Sequence, residues 1–174
     1  GELHLFALNK RYDFPVIFTR SANLYGIHQQ LFRIIPRTIV YLKLGKTIDL
    51  HGRGEGRRAF IHARDVAELT LKVILNGTIG DVYHFSPDDG LYCIADVVEL
   101  ICELMEYEFE RSVNFVNENY GQDSKYSLNA SKSKKQLDWK QQVIFNDGVK
   151  ETINWINENW DFIKQQPLDY IYKD

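Results

Sequence analysis

Phe14-Pro15 separates a helix-patterned segment from a β-rich run, and this junction constrains the fold more than any other feature of the chain. Upstream, residues 1–13 place apolar side chains at Leu3, Leu5, Phe6 and Leu8, an amphipathic pattern that a proline ring with no N–H cannot continue. Directly downstream, Val16-Ile17-Phe18-Thr19-Arg20 has the β-branched and aromatic character of a buried strand, and Ser21-Ala22-Asn23-Leu24-Tyr25-Gly26 reads as a turn. Strand-sized and helix-sized runs then alternate along the chain. A chain built this way is expected to be α/β.

Residues 32–44 carry Ile34, Ile35, Ile39, Val40, Leu42 and Leu44 on a helical period and stop at Gly45. Residues 47–51 and 59–62 read as short strands around a flexible, basic-edged loop, Gly52-Arg53-Gly54-Glu55-Gly56. A helix is expected over 63–76 from Val66, Leu69, Val73 and Ile74, with Asp65 in its first turn and Asn76-Gly77 at its end. Residues 82–85 follow as a strand, 87–90 as a turn, 95–105 as a helix, 112–116 as a strand and 131–137 as a short helix. Asn146 is the expected cap of a last helix carrying Val149, Ile153 and Ile156.

The 174 residues are 44 % hydrophobic and 26 % charged, enough for one core, and the net charge of −3 gives no footprint for nucleic acid. No apolar run approaches the roughly 18–20 residues that span a bilayer, so no membrane partner and a cytoplasmic location are the simplest expectation. Cys93 and Cys102 lack a C-x-x-C spacing and read as two buried thiols. His4, His28, His51, His62 and His84 show no metal-ligand spacing, so no metal is expected.

Three polar residues stand out, each with a plain alternative. Arg58 follows the glycine loop, where a guanidinium fork matches phosphate oxygens and glycines let backbone amides approach the same anion; a solvated strand end is the other reading. Asn23 lies just beyond a strand's carboxyl end, where open α/β sheets place ligands, yet asparagine is also a common turn-former. His51 at a strand end suits stacking or hydrogen bonding, or simple solvation. Asp65 reads as structural, an acceptor for the amide end of its own helix.

The helix, the strand, the Ser21-x-Asn23-x-Tyr25-Gly26 turn and Gly52-x-Gly54-x-x-Arg57-Arg58 together resemble the second half of the extended short-chain dehydrogenase/reductase family. Within it they are most similar to the sugar-nucleotide 4,6-dehydratases, the dTDP-glucose enzymes above all. The resemblance runs from Gly1 to about residue 160. It implies that 1–30 end a Rossmann-like nucleotide-binding domain and about 31–160 form mainly a small, mostly helical substrate-binding domain with strands returning to the main sheet. Residues 161–174 are a tail without a reading. The dehydratase pattern Gly-x-Gly-x-x-x-Arg with Asp seven residues on is kept by Gly52, Gly54, Arg58 and Asp65, which implies that Arg58 holds a substrate diphosphate. Asn23 is implied to touch the nucleotide sugar and Leu24 to lie against the nicotinamide cofactor, NAD, by backbone or apolar surface. Residues 27–36 match a loop whose Lys-Leu pair contacts substrate, here Arg33-Ile34. Asp49-Leu50-His51 matches a Pro-aliphatic-Tyr strand that sandwiches the base, placing Leu50 and His51 in the site. Glu118-Asn119-Tyr120-Gly121-Gln122-Asp123 matches Asp-Arg-Pro-Gly-His-Asp, so Asn119 stands at the arginine position and Gln122 at the histidine, with Lys125 a candidate replacement cation.

In the family reaction implied by the resemblance, a tyrosine deprotonates the sugar 4-hydroxyl as C4 is oxidised by NAD, water leaves across C5 and C6, and C6 is reduced. The 174 residues hold no Tyr-x-x-x-Lys, no Gly-x-x-Gly-x-x-Gly loop and no acidic pair before such a tyrosine, so no catalytic residue is assigned. Aligning Gly1-Glu2-Leu3 with the family's Lys-Ala-x-Gly-Glu-Leu leads to the expectation of a half-enzyme, inactive alone. Its rivals are the matching half of a nucleotide-sugar 4-epimerase and a non-catalytic binding module or gene remnant. The first helix, with Leu3 and Phe6 on one stripe and Leu5 and Leu8 on another, is expected to pair with a partner's copy in a homodimer.

Overall fold

The computed structural model describes residues 1–117 and 123–169. Helix α1, Glu2–Tyr12, ends at Asp13 in the left-handed conformation just before the proline, and Phe6 stacks on Phe18 with ring centroids 4.0 Å apart. Leu5 and Leu8 are half-buried beside it, whereas Leu3 is 85 % exposed. Strands β1, Phe18–Ser21, and β2, Asn23–Tyr25, follow; the expected turn over Ser21–Gly26 is therefore mostly strand. Helix α2, Ile34–Lys43, tolerates Pro36 because an amide in the first turn has no intrahelical partner to lose. Gly45 ends it at φ 65°.

Strand β3, Ile48–His51, leads into a 3-10 turn, Gly52–Gly54, then β4, Arg57–Arg58, and β5, Phe60–His62. Helix α3, Ala63–Asn76, and β6, Val82–Phe85, coincide with their expected bounds. Next come β7, Tyr92–Cys93, α4, Ile94–Leu104, α5, Phe109–Ser112, β8, Val113–Val116, and β9, Lys125–Tyr126. Helices α6, Ser131–Gln136, α7, Phe145–Glu158, and α8, Trp160–Ile163, complete the described elements.

Four pairings are parallel: β1 with β6, β2 with β5, β3 with β8 and β4 with β9. Parallel neighbours need a crossover, and here each is separated by at least one helix, the arrangement the α/β expectation requires. Strand β4 lies between β9, parallel, and β7, antiparallel. One core cluster joins Ile35 and Ile39 of α2, Val97 and Ile101 of α4, and Val149 and Ile156 of α7 to Ile48 and Leu50 of β3. A second joins Ile61, Tyr83 and Phe85 of the strands to Leu69 and Val73 of α3 and to Trp139.

Helix α7 reaches β2 at Gly148, where a Cβ would stand 2.8 Å from Cζ of the buried Tyr25. The Tyr25 hydroxyl donates to the Phe145 carbonyl at 3.3 Å; burial, with Asp89 and Asp65 nearby, pushes its titration well up. Two capping expectations need correction. Asn146 does not cap α7: Ile144 holds that position, the Phe145 amide donates to the Asp89 carboxylate at 3.0 Å, and Asn146 Oδ1 is buried without a partner. Asp65 does not serve its own helix. It is 1 % exposed and accepts from the amides of Gln142 at 2.9 Å and Val143 at 3.3 Å, because α3 is already capped by His62. Cys102 is buried and Cys93 half-buried, both unpaired. No helix among the described residues is long and apolar enough to cross a membrane.

Candidate functional site

The glycine loop is held by its neighbours and is not the free segment that its composition suggests. Glu55 N–H closes the 3-10 turn on the Gly52 carbonyl at 3.1 Å, and Ile94 N–H at the head of α4 donates to the Gly56 carbonyl at 3.0 Å. Gly54 is buried at φ 72°, and a Cβ there would lie 2.9 Å from the Ala95 backbone, so both conformation and space demand glycine. Gly56 lies against the Arg58 guanidinium, 3.7 Å from Nη1 to where a Cβ would be.

Half-buried Arg58 donates through Nη2 to the Asp123 carbonyl at 2.7 Å and through Nη1 to the Arg57 carbonyl at 2.9 Å. Its head is thus fixed by neutral acceptors and keeps its charge uncompensated. Arg57 is paired in register with Lys125, and Arg53 sits over the Phe115 ring at 5.0 Å. Among the described residues none of Arg53, Arg57, Arg58 or Lys125 makes an ion pair. Oriented beside the glycine loop with its charge unpaired among the described residues, Arg58 suits an anion with several oxygens, whereas Arg57, next to it on β4, faces the opposite side of the strand.

Asn23 joins this site through the backbone: its amide donates to the Ala59 carbonyl at 3.0 Å, immediately beside Arg58. Leu24, the middle residue of β2, follows with 45 % of its surface exposed. His51 is exposed at the end of β3, entering the glycine loop from the other side. Leu50, in contrast, is 1 % exposed and packed in the core, so its side chain is withdrawn from any ligand and only its backbone is available. Arg33 is exposed at the N-terminal boundary of α2, its guanidinium over the Phe32 ring at 5.2 Å, and Ile34 packs partly on the core. No described contact links Arg33 to Arg58. Asn119 and Gln122 lie outside the described residues, between β8, which pairs with the His51 strand, and Asp123, which holds Arg58.

Sequence reasoning passed over His62. It is 2 % exposed, its Nδ1 accepts from the Arg64 amide at 3.3 Å, and its Nε2 has no hydrogen-bond partner, with Glu151 Oε2 3.7 Å away in an Arg64–Glu151 ion pair. Nothing in the pattern of residues 59–65 marks this histidine as buried. Desolvation, aided by Arg64, lowers its proton affinity below the ordinary value near 6.5 against the opposing pull of Glu151 and Asp65. The neutral ring is therefore preferred in the fold. Its contribution to stability is expected to be complete above pH 6.5 and to be lost as pH falls through the lowered folded value. Urea midpoints measured above and about one unit below that point should differ in the parent. In His62→Gln, part of this acid sensitivity should vanish; an unchanged slope would refute the assignment.

Parallel strands with helical crossovers, and a glycine loop followed by Arg58 next to a strand's carboxyl end, give an α/β arrangement of the extended short-chain dehydrogenase/reductase type. Residues 1–85 match the model of the NAD dependent epimerase/dehydratase family, so this segment carries that family's pattern. Over 155 residues the chain is 34 % identical to dTDP-D-glucose 4,6-dehydratase from Mus musculus, covering 87 % of this chain and 43 % of the relative. A crystal structure of dTDP-glucose 4,6-dehydratase from Bacillus anthracis, in complex with NAD, superposes with TM-score 0.87 at 30 % identity, covering 92 % of this chain and 50 % of that one. UDP-glucose 4-epimerase from Thermotoga maritima superposes with TM-score 0.84 at 20 % identity over 91 % of this chain and 51 % of its own, a likeness of fold alone. The chain spans about half the length of these dehydratases and is similar to their C-terminal half.

Proposed function

We propose that the chain forms the substrate-gripping C-terminal half of an NAD-dependent nucleotide-sugar 4,6-dehydratase. The observation that carries this reading is the Arg58 guanidinium beside the glycine loop, held by two carbonyls and paired with no carboxylate among the described residues. In this role Arg58 binds the diphosphate, Asn23 orients the sugar beside it, His51 stacks on the base, and Arg33 with the Ile34 backbone closes over the glycosyl group. Asn119 and Gln122 would complete the nucleotide contacts. NAD, bound mainly by residues outside this chain, supplies the acceptor and later donor of hydride. What this chain offers it is the exposed Leu24 surface. The larger protein would be a soluble homodimer with α1 in its interface, and the reaction would be the loss of water from a nucleotide-linked hexose.

A 4-epimerase half is the second reading, favoured by the shared fold of the 4-epimerase structure. Mass spectrometry separates the two. The complete polypeptide, supplied with NAD and dTDP-glucose, UDP-glucose or CDP-glucose, is expected to yield a product lighter by one water. A product of unchanged mass would favour epimerisation. The 174-residue chain by itself is expected to give neither, because it contains no Tyr-x-x-x-Lys. Turnover by the isolated chain that is abolished in Arg58→Ala would overturn the half-enzyme reading.

A further inference from the structure

Between Leu24 and Arg33 the chain makes a loop that the Gln29 side chain closes back onto Leu24. Gln29 Nε2 donates to the Leu24 carbonyl at 2.6 Å, while Gln29 Oε1 is buried with no hydrogen-bond partner. An orphaned acceptor is a cost that an apolar residue would avoid, and the bond its nitrogen makes to the Leu24 carbonyl offsets that cost. The surroundings constrain the loop on both sides of that bond. Gly26, at φ 143°, is pressed against the His62 ring, where a Cβ would meet Nε2 at 3.1 Å, and the Gln29 amide bonds weakly back to Gly26 O at 3.4 Å. His28 adopts φ 62°, unusual for histidine, with its ring edge-on to Trp155 of α7 at 4.6 Å. The loop is thus anchored to α7 at His28 and closed on the strand end at Gln29. From there Gln30 O accepts the Arg33 amide at 3.0 Å and α2 begins.

We propose that Gln29 is a positioning residue: by gripping the Leu24 carbonyl it sets the orientation of the exposed Leu24 side chain beside Asn23, and with it the alignment of cofactor against sugar. This rests on the dehydratase reading above, under which Leu24 faces the cofactor. Misalignment of reacting groups slows the chemical step and leaves remote binding contacts intact.

Gln29→Met keeps the length of the side chain and removes the donor; Gln29→Lys restores a donor. Hydrogen exchange on the chain needs no turnover. Exchange across residues 24–30 is expected to be about tenfold faster in Gln29→Met, at an unchanged melting midpoint, and to return towards the parent rate in Gln29→Lys. In the complete enzyme, kcat should fall about tenfold in Gln29→Met with KM for the nucleotide sugar within about twofold, and recover in part with lysine. Unchanged exchange in Gln29→Met would overturn the proposal whatever the enzyme turns over. Faster exchange with kcat retained would also overturn it, leaving a clamp of purely structural value, as would a raised KM at constant kcat, which would make Gln29 a substrate ligand. If the parent turns over no nucleotide sugar, the dehydratase reading fails and the alignment proposal falls with it, and the exchange result then reports only on loop closure.

Discussion

Arg58→Ala in the complete polypeptide is expected to weaken nucleotide-sugar binding by about ten- to a hundredfold. A charge-assisted bond to phosphate is worth about 1.5–3 kcal/mol, and each 1.4 kcal/mol is a factor of ten in the dissociation constant. The larger end is favoured because the guanidinium is already half-buried and oriented by the Asp123 and Arg57 carbonyls, so little side-chain entropy remains to be lost on binding. Arg58→Lys should recover only part of the affinity, since an ammonium cannot reproduce the planar fork. Calorimetry with dTDP, UDP and CDP, the diphosphates alone, isolates the contribution. A dissociation constant unchanged within twofold in a folded Arg58→Ala protein would remove Arg58 from the site and shift the anion to Arg57, Arg53 or Lys125.

The largest stability effect of a single polar substitution is expected at Asp65. Its carboxylate is buried and is the acceptor for two consecutive backbone amides, Gln142 and Val143, in the segment that leads into α7. Alanine would strand both donors at about 1–3 kcal/mol each, offset in part by entering water, for a net loss of about 2–4 kcal/mol. Asp65→Asn, which keeps one acceptor oxygen, should lose roughly half as much. Urea titration of the three proteins orders them. A loss below about 0.5 kcal/mol in Asp65→Ala would mean that the 140–143 segment finds other acceptors and that the carboxylate is not its anchor.

Asp65 also illustrates the limit of local reading. Its interval from Arg58 and its place in the first turn of α3 are visible in the sequence, and both suggest a cap. The real cap is His62, and the carboxylate is spent on residues 77 and 78 positions further on, a pairing that no local pattern encodes. Asn146 fails for the same reason: a distant Asp89 reaches the end of α7 first.

Local physics decided the elements that satisfy themselves. Periodicity and terminators placed α3 and β6 with their observed bounds, put Gly45 at the end of α2, and broke the chain at Pro15, because helix ladders, buried strand faces and proline's missing donor act within a few residues. The short strands β4, β7 and β9 have two residues each and no periodicity to read; they exist because Arg57 and Arg58 are bracketed by segments 35 and 68 positions away. Motif spacing picked out Arg58 and Asn23, whereas their adjacency arises from the β2–β5 pairing, which sets Asn23 against Ala59 and Phe60. The sequence likewise marked Leu50 and His51 as equals. The pleat separated them, because alternate residues of a strand face opposite sides: the leucine went to the core and the histidine to the exposed side. Residue types and their intervals by themselves determined the fold class and singled out Arg58 as the candidate anion ligand. Which carbonyls hold that arginine, which histidine is buried neutral and which glutamine closes the loop at Leu24 were decided only by tertiary structure, since each depends on acceptors and volumes contributed by distant parts of the chain.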